Sequence, residues 1–128
     1  MNYSQIIKAI PALGELKKIR LPYTTARDIH RLDKALESEF QFFAQEEAKL
    51  ISDYAAKDGN GKPAVTGEGR ITFENAEAKA KYQERIAELG ALDAKIDIPT
   101  ISLSSKDIGN ELISAKTIEA LEGIITFE

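Results

Sequence analysis

Apolar residues recur at steps of three and four along the middle of the chain. Ile29, Leu32, Leu36, Phe40, Phe43, Leu50 and Tyr54 form one stripe, and no Pro or Gly interrupts it between Pro22 and Lys57. That spacing predicts one long amphipathic helix over residues 25–57, about 50 Å long at 1.5 Å per residue. Thr24 or Thr25 suits its N-cap, with Asp28 completing a capping-box variant on Thr25. Glu47 falls where the stripe wants an apolar residue. A carboxylate there needs a cross-helix partner such as Arg85 or Lys81, or a stripe that drifts to Ala44, Ala48 and Ile51.

Before this helix, Ile6, Ile7 and Ile10 and then Leu13, Leu16 and Ile19 read as one or two short helices capped by Ser4, with Pro11 between them. After it, Asp58-Gly59-Asn60-Gly61-Lys62-Pro63 is dense in turn residues. Residues 63–66 and 70–73 then read as two short strands of a β-hairpin around Gly67-Glu68-Gly69. A second helix is expected at 75–92 on Ala78, Tyr82, Ile86 and Leu89, with Phe73 as a hydrophobic staple at its start. Residues 95–103 alternate with a change of parity at Pro99, as in a bent strand. Ser114 caps a short helix over 115–122, Gly123 ends it, and 124–127 is a strand pattern. Gly69-Arg70-Ile71-Thr72-Phe73-Glu74 and Gly123-Ile124-Ile125-Thr126-Phe127-Glu128 differ at one position. No repeat extends around them, so they read as two similar strands and not as a duplication.

These elements predict an α+β fold, mostly helical: a long antiparallel helical hairpin closed by a small antiparallel sheet from residues 63–73, 95–103 and 124–127. A length of 128 residues suits a single domain spanning the whole chain. The second helix covers only the C-terminal half of the first. The N-terminal half then needs the first helices or a partner to pack on it.

Charge adds a direction to this picture. The net charge is −4, but residues 1–36 hold seven Lys/Arg against three acids and residues 37–128 hold ten against eighteen. A basic head of +4 on an acidic body of −8 predicts an oriented contact with a charged partner. The candidate partner-binding residues are Lys17, Lys18, Arg20, Arg27, His30, Arg31 and Lys34. The acidic balance and the lack of a reader motif argue against nucleic acid as that partner. Met1-Asn2-Tyr3-Ser4-Gln5 has no signal-peptide profile, and no apolar run approaches the ~18 residues of a membrane span. The expectation is a soluble cytoplasmic protein with no membrane contact.

Candidate chemistry is sparse. With no Cys there is no thiolate nucleophile or cysteine-zinc site. His30 is the only imidazole, and the Glu-x-x-His motifs of a two-metal bundle do not occur among Glu46, Glu47, Glu84 and Glu88. Asp58-x-Asn60-x-Lys62 opens like a calcium loop but fails at Lys62 and at Gly69, where the twelfth position needs a bidentate Glu. Gly59-Asn60-Gly61-Lys62 lacks P-loop spacing. No catalytic, metal or cofactor residues are assigned, and the chain is not read as an enzyme.

The order of features carries a resemblance. Tyr54-Ala55-Ala56-Lys57-Asp58-Gly59-Asn60-Gly61-Lys62-Pro63, then Ile71-Thr72-Phe73, a helix with Tyr82 and Glu88-Leu89, and Ile96-Asp97-Ile98-Pro99 follow one another. Over about residues 25–104 this resembles a family of short, functionally uncharacterised proteins of tailed bacteriophages and prophages. The resemblance implies a phage-encoded protein in the cytoplasm of an infected host, with no assigned reaction. The leading expectation is a non-enzymatic protein-interaction module with an assembly or accessory role, acting through helical hairpin surfaces on a phage or host protein. A leftover apolar stripe would add self-association. The alternatives are an anti-CRISPR or anti-restriction inhibitor using the acidic body, and a nucleic-acid binder using the basic head.

Overall fold

The computed structural model describes residues 1–97, 101–109 and 112–128. Helix α1 spans Tyr3–Leu16, α2 Tyr23–Tyr54, α3 Ala76–Ala91, α4 Ser105–Ile108 and α5 Ala115–Ala120, with strands β1 at Ile101–Leu103 and β2 at Ile125–Phe127. Contacts gather these into two compact units: Met1–Phe40 with Asp93–Glu128, and Gln41–Leu92. The boundary falls inside α2.

In the first unit, α1 is one helix with Pro11 inside it, not two. Ile6, Ala9, Ala12, Leu13 and Leu16 form one fully buried face. Burying Ile6, Leu13 and Leu16 stabilises the fold by roughly 1.5–3 kcal/mol each, which offsets the ~3 kcal/mol of an interior proline. The cap is Asn2 and not Ser4. Asn2 Oδ1 accepts from the Gln5 N–H at 2.9 Å, and the Asn2 N–H donates to Gln5 Oε1 at 2.8 Å. An Asn2→Ala variant is expected to lose about 1 kcal/mol, read from denaturant midpoints.

Helix α2 begins two residues earlier than the threonine caps predict, because the Pro22 carbonyl accepts from the Ala26 N–H at 2.9 Å. Ile29, Leu32 and Leu36 are buried along its first half. Two polar ties hold α1 to that half. The Tyr3 hydroxyl donates to Glu39 Oε2 at 2.8 Å, and Lys17 Nζ donates to Asp33 Oδ2 at 2.9 Å. The pairs run in opposite order along the two helices, so α1 lies antiparallel to α2. Asp33 is nearly buried, a charge sustained by Lys17. Helix α5 packs on α1, and Ile101, Leu103, Leu121, Ile124 and Ile125 complete the core.

The antiparallel sheet is not what forms. Strands β1 and β2 pair in parallel, with Ile101 opposite Ile125 and Leu103 opposite Phe127. A tight turn can join only antiparallel strands; a parallel pair needs a long crossover. Residues 104–124 are such a crossover, carrying α4 and α5. Ser104 and Asp107 start α4 with a reciprocal cap. Ser114 caps α5 as predicted. The predicted bend at Pro99 lies outside the described residues.

Residues 63–73 belong to the second unit and do not join that sheet. They form isolated antiparallel bridges, Lys57 to Pro63 and Val65 to Ile71. The Ala56 N–H donates to the Thr72 carbonyl at 2.9 Å, so α3 starts close to the end of α2. Asn75 caps α3 through the Ala78 N–H at 2.8 Å. The Phe73 and Tyr82 rings meet at 5.3 Å, and Glu47 lies close enough to the Tyr82 hydroxyl to raise its pKa, after burial, the larger cause. A helix leaving the end of α2 reaches Glu47 only by running back alongside it. The Gly69 and Gly123 hexapeptides share their entry geometry: both glycines are left-handed, at φ +81° and +82°, and an extended segment follows each. One pairs antiparallel and the other parallel, in different units.

Candidate binding surface

The seven candidate partner-binding residues are exposed, but they do not act together. Lys17 is structural. Its ammonium is held by Asp33, and that hydrogen bond, with the carboxylate's charge, raises its pKa. Lys18 pairs with Glu15 at 3.2 Å on α1. Arg20 sits in the connection between α1 and α2.

The other four share one face of α2. At 100° per residue, Tyr23, Arg27, His30, Arg31 and Lys34 fall within an arc of about 100° and span about 16 Å. The buried Ile29, Leu32 and Leu36 lie on the opposite side. Tyr23 is 92% exposed, an unusual position for an aromatic ring. The basic charge there is only lightly offset. Arg27 reaches Asp28 at 3.5 Å and Lys34 reaches Glu37 at 3.8 Å, both exposed pairs of little strength. Among the described residues no acid pairs with Arg20, His30 or Arg31. Tyr23 is not among the residues singled out from the sequence; its place four residues before Arg27 is the signal that could have found it.

The division into head and body does not coincide with the two units. The first unit holds ten Lys/Arg against twelve acids and the second seven against nine, so each carries −2. The basic head folds into the same unit as the acidic tail. The apolar stripe that would have driven self-association is covered at Ile29, Leu32 and Leu36.

Elsewhere in the first unit a groove of about 1110 Å³ separates α1 from α5. Lys8, Glu15, Lys116, Glu119 and Glu122 all line it, so its charge is mixed. Asp58 makes a turn and not a calcium loop: its Oδ1 accepts from the Asn60 and Lys62 N–H groups at 2.8 and 3.0 Å. Arg85 is engaged by Tyr54 and Glu88, and Lys81 by Glu77, so neither neutralises Glu47. Among the described residues no group of three His, Asp or Glu side chains is placed to hold a metal ion, and no helix is long and apolar enough to cross a membrane. Comparison with protein-family models, curated proteins and solved structures finds no match to this chain.

Proposed function

We propose that this protein is a non-enzymatic interaction module whose contact surface is the outer face of the first third of α2, and whose partner is a protein presenting an acidic surface. The observation that carries the reading is Tyr23, almost fully exposed at the head of a row of Arg27, His30, Arg31 and Lys34. Tyr and Arg are the residue types that dominate binding hot spots. The buried face of the same helix segment is already used by the fold, so this outer face is free to be selected for recognition. The phage context implied by the resemblance over residues 25–104 makes the partner a phage or host protein. The inhibitor reading rests on an acidic body, and the two units, each at −2, do not single one out.

The test is a charge-reversed pair, Arg27→Glu with Arg31→Glu. Both residues are exposed, so thermal unfolding is expected to stay within about 0.5 kcal/mol of the parent. A protein captured by the parent at low salt is expected to be lost by the variant. Equal capture by both would refute the reading. Lys17 is left untouched in this test, because reversing it would strand Asp33. In a gel-shift at low salt, where phosphate contacts are strongest, no duplex or single-stranded DNA is expected to move. A shift abolished by the same double variant would replace the protein partner with nucleic acid.

A further inference from the structure

A second surface in the first unit is lined by no residue of α2. In the β1–β2 ladder, Leu103 faces Phe127, and the Glu128 N–H donates to the Leu103 carbonyl at 2.8 Å. Backbone groups alternate in direction along a strand. Thr126 and Glu128 therefore turn inward to β1, and Ile125 and Phe127 turn outward. The Ile125 N–H is used by the Leu121 carbonyl at 3.0 Å. The outward Ile125 carbonyl and the Phe127 N–H and carbonyl have no partner among the described residues. Alongside them runs a slot of about 570 Å³ between β2 and α5. Its far wall carries Ile118, 40% exposed. Glu119 and Glu122 line it, exposed and joined to no cation among the described residues.

We propose that this slot takes an extended peptide segment in which an apolar residue is flanked by Lys or Arg. The segment adds as a strand to the outer edge of β2. Its backbone pairs with the Phe127 N–H and the Ile125 carbonyl, as in strand addition to any open sheet edge. An apolar side chain rests on Ile118, because alternate residues of a strand face the same side. The cations that meet Glu119 and Glu122 stand two residues to either side of it, on the same face of the strand. This charge complementarity selects a basic–apolar segment over an acidic one.

The experiment uses the full chain, labelled with nitrogen-15, and the capped peptide Lys-Thr-Ile-Thr-Lys as probe. The expected result is a saturable shift of the Phe127 amide and slower exchange of its hydrogen with solvent. Binding is expected to fall about tenfold or more with Glu-Thr-Ile-Thr-Glu, with a backbone-methylated peptide, and with an Ile118→Asp variant whose remaining spectrum is unchanged. The proposal is overturned if millimolar basic peptide leaves Phe127 unmoved, or if the acidic or methylated peptide binds equally. It is also overturned if the Phe127 shift follows protein concentration alone, which would make a second copy of the chain the occupant.

Discussion

Replacing Leu36 by Ala is expected to lower the unfolding free energy by about 2–5 kcal/mol. Leu36 is completely buried on α2, in the unit where α1 supplies the equally buried Ile6, Leu13 and Leu16. Removing three side-chain carbons there loses the transfer free energy of the atoms and leaves a void that two helices must collapse to fill. Domains of this size are stable by only ~5–15 kcal/mol in total, so the change is large. Leu50 offers the contrast. It lies on the same stripe but is only half-buried, and Leu50→Ala is expected to cost clearly less. Denaturant unfolding of the two variants measures the difference. Equal losses would mean that the first half of α2 is not where the core is concentrated.

The second large effect is alkaline. Burial, then the hydrogen bond to Glu39 and its charge, pushes the Tyr3 hydroxyl up to about 12 from an ordinary value of 10.0. A folded-state pKa raised above the unfolded value means stability that is complete below pH 10 and is lost as pH rises through 12. Lys17 acts in the same direction, because its pKa is raised by Asp33 and deprotonation would leave Asp33 alone. Both polar ties between α1 and α2 thus depend on protons that leave in alkali. Stability measured at pH 8, 10 and 11.5 should fall steeply over the last interval. Tyr3→Phe should start lower at pH 8 and fall less, since the phenol is no longer there to ionise. Parallel pH curves for the two proteins would show that Tyr3 does not carry the effect.

Local physics made the helices readable. The stripe from Ile29 to Phe43 marked the buried face of α2, and the turn residues from Asp58 to Pro63 marked where the chain leaves it. Ser114 marked the start of α5 because a cap is set by a few neighbouring residues, but the helix stops at Ala120 with Leu121 as its C-cap, short of the Gly123 expected to end it. Pro11 misled, since its local cost is outweighed by burial that only the folded unit supplies. The strands could not be read the same way. Ile101–Leu103 and Ile125–Phe127 carry a strand pattern in either orientation, and their direction is decided by the crossover through α4 and α5.

The candidate surface was legible in part for the same reason. Arg27, His30, Arg31 and Lys34 follow from the stripe, because residues opposite Ile29, Leu32 and Leu36 must face outward. Lys17 was grouped with them by sequence proximity, yet it belongs to a tie with Asp33 on the neighbouring helix, 16 residues away. Nothing near either residue signals that pairing. The split into a basic head and an acidic body was real along the chain but does not coincide with the two units, because residues 93–128 return to the unit that holds residues 1–40.

We propose that the outer face of α2 at Tyr23 meets a protein. A photo-crosslinking amino acid placed at position 23, and at the exposed Lys79 on α3 as reference, tests it most directly in cells expressing the protein. A discrete protein adduct is expected from position 23, weakened by Arg27→Glu with Arg31→Glu, and none from position 79. An adduct from position 79 alone, an adduct to nucleic acid, or no adduct from position 23 would contradict it.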